Sequence, residues 1–245
     1  MKKCPSTLVL TIQQMKMMKR NSRAPLKILV IDVGGTNLKL LATGQTEARK
    51  ISSGPTMSAS QMVERVLEAA REWDYDLITI GYPGPVMDGR PVLEPANLAP
   101  GWVNYDYAGH FGKPVRIIND AAMQALGSYH GGRMLFLGLG TGLGSALIIN
   151  GVLAPLELAH LPYKKGRTFE DYVGTRGLER LGKKKWQAAV EEVVARLQAA
   201  LVADSVVLGG GNAKKLKRLP AGVRLGDNSN AFLGGYRVWE EDRHT

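Results

Sequence analysis

Short apolar runs alternate with glycine-bearing turns in the first half of the chain. These runs predict strands at residues 28–33, 38–43, 48–53, 76–80 and 115–118. Apolar residues recur at helical spacing after Ser60, an N-cap candidate, which predicts a helix that ends near residue 73. A second helix is expected from Ala121 to Tyr129. The pattern therefore begins with an antiparallel meander of three strands and continues with helices and strands in alternation.

The second half of the chain repeats this order. Strands are predicted at residues 134–139, 146–149, 152–154, 205–208 and 223–225. Asn150-Gly151 is a strong type I′ hairpin signal between two of them. Amphipathic spacing predicts helices at residues 168–181, 186–203, 213–219 and 230–240. Two similar α/β patterns thus follow one another along the chain.

A repeated unit of this size predicts an α/β fold in which two similar domains face each other across a central cleft. The expected domains cover residues 26–131 and 132–245, and residues 1–25 are interpreted as a basic, disordered N-terminal extension or equally as an over-long start of the coding region. Ligands of α/β sheets bind at the carboxyl ends of strands. The glycine turns at 34–35, 140–144 and 209–211 are therefore expected to line the cleft.

The net charge constrains the choice of partner more than the composition does. Hydrophobic residues make up 44% and charged residues 22% of the 245 residues, which is typical of a globular chain. The 32 Lys and Arg residues exceed the 22 Asp and Glu residues, and the net charge is +10. A positive field favours nucleotides, polyphosphate, nucleic acid or an anionic membrane surface, and a soluble basic surface explains the charge equally well.

Cysteine content and hydropathy exclude several classes of protein. Cys4 is the single cysteine, so neither an intrachain disulfide nor a cysteine-cluster zinc site can form. A reducing, cytoplasmic location is therefore expected. The apolar patch at residues 7–12 is too short to span a bilayer, and no small-residue cleavage site follows it. No membrane partner is expected.

The stretch ILVIDVGGTNLKLL, residues 28–41, combines a strand, a tight turn and a second strand. Its two adjacent glycines let the backbone approach a ligand closely and can direct successive N–H groups toward an anion. Asp32, at the end of the strand, is placed to orient a metal-bound phosphate or a water. A simple hairpin in which Asp32 caps the turn explains the same residues. The stretch alone leaves both interpretations open.

Further motifs follow this turn in a fixed order. They are DVGGTNLK at 32–39, GYPGPV at 81–86, ANL at 96–98, NDA at 119–121, GLGTGLGSALIINGVL at 138–153, ELAHL at 157–161 and VVLGGG at 206–211. Together they resemble the ROK (repressor, open reading frame, kinase) sugar kinases of the actin-like ATPase superfamily. Within that family the chain is most similar to the polyphosphate/ATP glucokinases. The resemblance implies two ribonuclease H-like domains with mixed sheets, and a homodimer.

The resemblance also implies an enzymatic activity and a catalytic general base. The expected reaction transfers a phosphoryl group from ATP, inorganic polyphosphate or both to the 6-hydroxyl of glucose or a related sugar. Asp120 matches the catalytic aspartate of the family and is the candidate general base. The alternative is that Asp120 only caps the helix that begins at Ala121, and the surrounding motifs favour the functional role. The implied sugar-binding residues are Asn97, Asn119, Asp120, Glu157 and His160.

The donor side would be formed by glycine turns from both halves. Its implied residues are Gly34, Gly35, Thr36, Gly140, Thr141 and Gly142 for the phosphates and Gly209, Gly210 and Gly211 for a nucleoside. Asp32 would hold hydrated Mg²⁺, and Lys39 is either a phosphate contact or a solvated strand residue. No zinc is expected, since the three-cysteine motif of many family members is missing. Ala159 stands where the family usually has glycine, which leaves the sugar preference open.

Alternatives to a glucokinase remain at this point. Three basic clusters, at 164–167, 183–185 and 214–218, are either solvated surfaces or, if they converge near the cleft, a track for a long polyanion. A sugar-sensing regulator of the same family would need a helix-turn-helix, for which 25 residues are too few. Nucleic acid is not an expected partner, since the basic clusters lack interleaved aromatic residues. Mannose or an N-acetylated amino sugar could replace glucose.

Overall fold

The computed structural model describes residues 25–227 and 229–240. The predicted N-terminal extension at 1–25 lies outside the described residues except for Pro25. In this part of the chain, no helix has both the length and the apolar character that crossing a bilayer requires.

The first half of the chain forms a mixed five-stranded sheet. Its elements in order are β1 (Ile28–Val33), β2 (Asn37–Ala42), β3 (Arg49–Ser52), α1 (Ala59–Ala70), β4 (Leu77–Tyr82), β5 (Val86–Met87), β6 (Arg90–Pro91), α2 (Tyr107–Phe111), β7 (Val115–Asn119) and α3 (Asp120–Ser128). The sheet has the order β3-β2-β1-β4-β7. The pairs β1–β2 and β2–β3 are antiparallel, whereas β1–β4 and β4–β7 are parallel. The predicted meander is therefore confirmed.

The second half builds a sheet of the same topology. Its elements are β8 (Arg133–Leu139), β9 (Leu143–Ile149), β10 (Val152–Leu156), β11 (Pro162–Lys164), β12 (Arg167–Thr168), α4 (Phe169–Val173), α5 (Thr175–Ala200), β13 (Ser205–Gly209), a 3₁₀ turn (Ala213–Lys215), β14 (Val223–Leu225) and α6 (Asn230–Arg237). The sheet order is β10-β9-β8-β13-β14, with antiparallel pairs on one side of β8 and parallel pairs on the other. The two sheets thus repeat one strand order, as the sequence repeat predicts.

Two helices each pack on the sheet of the other half of the chain. Helix α3 follows the first sheet in sequence, yet its alanines pack with buried residues of β8, β9 and β13. Helix α6 ends the second half and packs on β1 and β4 of the first sheet. The outer faces of the sheets are covered by α1 and α5. The cleft is thus framed by two sheets that α3 and α6 join, and the division at residue 131 stays a prediction.

Glycines bring α3 and α6 into backbone contact. A Cβ atom at Gly127 would lie 1.8 Å from the carbonyl oxygen of Asn230, and one at Gly234 would lie 1.7 Å from that of Met123. A buried hydroxyl adds a polar link, because Thr79 Oγ1 donates to the Gly235 carbonyl at 2.7 Å and accepts from Trp239 Nε1 at 2.9 Å. Helix α6 and Trp239 are therefore fixed on the first sheet.

Some helix boundaries differ from the prediction. The N-cap of α1 is Ser58, because its hydroxyl accepts from the Gln61 amide while the Gln61 side chain accepts from the Ser58 amide, and the assignment to Ser60 was wrong. Gly182 interrupts α5 with φ 72° and ψ 159°, close to the predicted end of a helix at 181. The helix predicted at 213–219 shrinks to one 3₁₀ turn, since Leu216 becomes extended and packs against the second core.

Candidate functional site

A cleft of about 500 Å³ lies where the strand ends of the two sheets meet. Most of the predicted site residues line it: Gly34, Gly35, Asn97, Asn119, Asp120, Gly140, Thr141, Gly142, Glu157, His160 and Gly210. Five others do not: Asp32, Thr36, Lys39, Gly209 and Gly211. Of these, Asp32 and Gly209 are buried, whereas Thr36 and Gly211 are exposed. The fold therefore gathers residues that lie up to 176 positions apart in the sequence, from Gly34 to Gly210.

The first glycine turn connects β1 to β2 and abuts the loop that carries Asn97. The Gly34 amide donates to the Asn37 carbonyl at 3.1 Å, which closes the turn. A Cβ atom at Gly35 would lie 3.0 Å from the Cβ atom of Asn97. Ser53 Oγ donates to the Gly34 carbonyl at 2.6 Å and holds the turn from the β3 side. Glycine at position 35 thus allows the turn and the Asn97 loop to meet at the cleft.

Asp32 and Lys39 form a cross-strand ion pair behind this turn. They are paired in the β1–β2 register, and Lys39 Nζ lies 2.9 Å from Asp32 Oδ2. Asp32 is only 7% exposed, whereas the Lys39 side chain is 36% exposed. Lys39 therefore has a defined partner, and a phosphate contact for it stays a prediction. The buried carboxylate remains close enough to act electrostatically on Asp120.

Asn119, and not Asp120, caps helix α3. Asn119 Oδ1 accepts from the Ala122 amide at 3.0 Å, and Asn119 Nδ2 donates to the Gly84 carbonyl at 3.0 Å. The N-cap interpretation of Asp120 was therefore wrong. Asp120 occupies the first helical position, where its Oδ1 accepts from the Ala121 amide at 2.7 Å. Because Asn119 supplies the cap, Asp120 is held in the cleft by the strand-to-helix junction.

The environment of Asp120 favours its protonated form. Burial raises the pKa of this carboxyl to about 7, and the negative charges of Asp32 and Glu157 act in the same direction. The hydrogen bond from the Ala121 amide opposes them. A carboxyl group that gains and loses its proton near neutral pH is suited to general acid or base chemistry.

Glu157 and His160 reach the cleft from the segment after β10. Ser145 fixes this segment, because its hydroxyl donates to the Leu156 carbonyl at 2.8 Å and accepts from the Leu158 amide at 3.2 Å. Burial raises the pKa of Glu157, and His160 counteracts the shift. Ala159, which replaces the expected glycine, is 3% exposed and has its methyl group in the second core. The fold therefore accommodates the extra carbon atom.

The second glycine turn, between β8 and β9, is braced from outside. The Gly140 amide donates to the Gly142 carbonyl at 3.1 Å. The Gly140 carbonyl accepts from Asn212 Nδ2 at 2.9 Å and from Thr175 Oγ1 at 3.0 Å. Gly210 has φ +80°, and a Cβ atom there would lie 2.4 Å from the Leu139 carbonyl oxygen, so this position requires glycine. The two glycine segments are thus locked together on the second sheet.

The sequence analysis missed three polar residues at this site. Glu170 lines the cleft, and its Oε2 accepts from the Leu143 amide at 3.2 Å. Gln124 lines the cleft one helical turn after Asp120, so the i, i+4 spacing was a usable signal. Asn212 is 5% exposed and braces the Gly140 turn. Neither Glu170 nor Asn212 carries a local signal, because each reaches the site through a tertiary contact.

Comparison with known proteins agrees with this architecture. A polyphosphate glucokinase of Mycobacterium tuberculosis (strain ATCC 25177 / H37Ra) is 28% identical over 207 residues, which cover 76% of this chain and 77% of the relative. The crystal structure of an inorganic polyphosphate/ATP-glucomannokinase from Arthrobacter sp. strain KM superposes with a TM-score of 0.76 at 23% identity and covers 89% of this chain and 99% of that one.

A second solved structure has the same fold. It is a ROK family glucokinase from Streptomyces griseus in complex with glucose and AMPPNP, with a TM-score of 0.68, 18% identity and coverage of 88% of this chain and 99% of that one. The expected fold, two mixed-sheet halves of the actin-like ATPase type, is thereby confirmed. The sequence model of the ROK family matches residues 28–155, which is more than half of the 245 residues. The chain belongs to the ROK family.

Proposed function

We propose that the protein is a glucokinase-like hexose kinase that transfers a phosphoryl group to the 6-hydroxyl of glucose or a related sugar. The observation that carries the proposal is the position of Asp120, which lines a cleft together with further polar side chains and two glycine turns. The relatives named polyphosphate glucokinase support this activity.

The sugar would be bound by Asn97, Glu157, His160 and Glu170. All four side chains line the cleft and together offer donors and acceptors. A buried polar group that loses its partner costs about 1–3 kcal/mol, so such a lining discriminates between hydroxyl configurations. Asn119 has its Oδ1 and Nδ2 in hydrogen bonds to the backbone, and its role is to place Asp120.

The phosphoryl donor would lie between the two glycine turns. Gly34 and Gly35 come from the first sheet, and Gly140 to Gly142 come from the second. ATP and inorganic polyphosphate present the same terminal phosphoryl group, so this part of the site suits both. Mg²⁺ bound to phosphates keeps several waters and needs only one or two protein carboxylates. Asp32 would be one of them and would act through such a water, because its carboxylate is buried, lies outside the cleft lining and is paired with Lys39. When bound, the ion neutralises charge on the phosphates.

Asp120 would act as the general base. Its carboxylate accepts the proton of the sugar hydroxyl as the hydroxyl oxygen bonds to the terminal phosphorus. The bond from that phosphorus to the donor's bridging oxygen breaks, and the shortened donor leaves with both bonding electrons. Asp32 and Glu157 contribute by raising the basicity of this carboxylate.

The pH dependence of the reaction follows from the pKa of Asp120. Only the deprotonated carboxylate can accept the proton, and its pKa is about 7 in the free protein. We expect kcat/KM for the sugar to fall as pH drops through 7 and to level off at higher pH. Initial rates from pH 5 to 9 would check this, and a profile that stays flat down to pH 5 would contradict the role of Asp120.

A screen of acceptors and donors tests the proposed function. Glucose, mannose and N-acetylated amino sugars would each be combined with ATP and with polyphosphate, and sugar phosphate would be quantified. We expect transfer to glucose or a close analogue from at least one donor. Tight sugar binding without transfer from either donor would instead identify a sugar-sensing regulator.

A further inference from the structure

Two of the three basic clusters converge on a groove on the second half of the molecule. The groove has a volume of about 690 Å³. Its lining, here named the basic groove, consists of Lys183, Lys184, Gln187, Ala188, Glu191, Lys217 and Arg218. The third cluster lies on the β11–β12 hairpin, where Lys164 forms an ion pair with Glu192. The basic groove is therefore built by α5 and the segment after the 3₁₀ turn.

The groove has a defined shape because its two walls are tied together. The Lys217 amide donates to Gln187 Oε1 at 3.1 Å. Arg218 makes two hydrogen bonds to the Glu191 carboxylate, at 3.0 and 3.3 Å. On the inner side of the same helix, Trp186 is fully buried and donates to the Val173 carbonyl at 2.8 Å. These contacts orient the lysine-bearing face of α5 outward.

The charge of the groove is strongly positive. Four cationic side chains face one carboxylate, and that carboxylate is engaged by Arg218. Among the described residues, Lys183, Lys184 and Lys217 have no ion-pair partner. Clustered ammonium groups repel one another, and an anion with closely spaced charges would relieve that repulsion.

The basic groove is connected to the donor side of the cleft. Asn212 donates to the Gly140 carbonyl and accepts from Lys215 Nζ at 2.8 Å. Lys217 follows two residues after Lys215, so the chain from Asn212 to Lys217 spans at most about 18 Å. A long polyphosphate chain with its terminal phosphoryl group at the Gly140 turn can cover even this maximum distance and reach the groove. We expect the much shorter tripolyphosphate to leave the groove empty.

We propose that the basic groove binds the distal phosphates of long-chain inorganic polyphosphate whose terminal phosphoryl group lies at the Gly140–Gly142 turn. This inference rests on the proposed kinase function. It assigns long-chain polyphosphate as the donor whose binding the groove strengthens. Lysine ammonium groups are suited to phosphates as mobile point charges. The groove lining contains no aromatic side chain, and single-stranded nucleic acid usually stacks its bases on aromatic residues. Polyphosphate has no nucleobases, so positively charged side chains are sufficient to bind it.

The test compares donors of different length in matched variants. Lys183→Ala/Lys217→Ala removes two groove charges, and Lys50→Ala/Arg71→Ala removes two exposed charges from the first half, outside the cleft and groove linings. We expect the groove variant to raise KM for long-chain polyphosphate roughly tenfold, as two exposed charge contacts would. Its KM for tripolyphosphate and for ATP should stay at the wild-type value. The control variant should leave all three values unchanged.

Other outcomes would overturn the assignment. An unchanged KM for long-chain polyphosphate, or an equal rise for all three donors, would remove the length-dependent role of the groove. Binding of fluorescently labelled long-chain polyphosphate, measured without sugar, gives a readout independent of turnover: wild type should bind more tightly than the groove variant. If wild type transfers phosphate from no donor, the kinase proposal fails. The binding assay then still shows whether the basic groove binds polyphosphate. Equal displacement of the label by single-stranded RNA would assign the groove to nucleic acid.

Discussion

Replacing Asp120 with asparagine is expected to lower kcat by about 10²–10⁴-fold, because the variant loses the carboxylate that we propose as the general base. Asparagine keeps the size of the side chain and the contact to the Ala121 amide, and Asn119 still caps α3. Glucose affinity should therefore change little. Initial-rate kinetics and calorimetric titration with glucose would separate the two effects.

Asp106→Asn is a matched control for this substitution. Asp106 also lies at a helix start, where Oδ1 accepts from the Gly109 amide at 2.9 Å, but it is exposed and lies outside the cleft. The control should keep wild-type turnover. Wild-type kcat in Asp120→Asn, or an equal loss in both variants, would contradict the assignment.

The same substitution should change the pH dependence of stability. The pKa of Asp120 is about 7 in the folded protein and 3.8 as the ordinary value, so the folded state retains a proton that the unfolded state has lost. Its contribution to the free energy of unfolding is therefore largest below pH 4 and is lost as pH rises through 7. Asp120→Asn should flatten the stability profile between pH 4 and 7, as measured by urea unfolding.

Gly234→Ala is expected to destabilise the fold by about 3 kcal/mol, since overpacking against a rigid neighbour costs that much at the upper end of its usual range. The new Cβ atom would lie 1.7 Å from the Met123 carbonyl oxygen, so α6 would have to move away from α3. Intrinsic helix propensity predicts the opposite sign, a gain of roughly 0.5–1 kcal/mol. Chemical unfolding therefore distinguishes packing from propensity by the direction of the change.

Leu233→Ala provides the control on the same helix. Leu233 is 40% exposed, so its truncation should cost much less than the glycine substitution. A stabilised Gly234→Ala variant would show that α3 and α6 do not pack backbone against backbone.

Much of the fold could be predicted because its signals are local. The short apolar runs and the glycine turns of the two meanders depend on neighbouring residues only. The packing of α3 and α6 on the sheet of the other half could not be predicted in this way. Periodicity shows that a face of α3 is apolar, yet Ala122 packs in the cluster of the second sheet while Met123 packs with β1 residues. A single sequence does not specify which sheet will bury each face.

The same distinction applies to the cleft. Asp120 and the glycine turns stand directly after strands, so their placement could be predicted from the rule for strand ends. Asn212 acts on Gly140 across 72 positions of the chain, and Glu170 acts on Leu143 across 27. No local pattern marks such residues. Ser58 and Ser60 were confused because both precede an apolar helical face, and only the partner, Gln61, decides between them.

The proposed activity is tested most directly by following phosphorus through the reaction. Wild-type protein would be incubated with glucose, Mg²⁺ and either ATP or polyphosphate, and ³¹P NMR would identify the product. The account predicts a phosphate monoester on the 6-oxygen of the sugar, formed by wild type and strongly reduced in Asp120→Asn. Release of inorganic phosphate alone, or no consumption of either donor in the presence of any hexose, would contradict it.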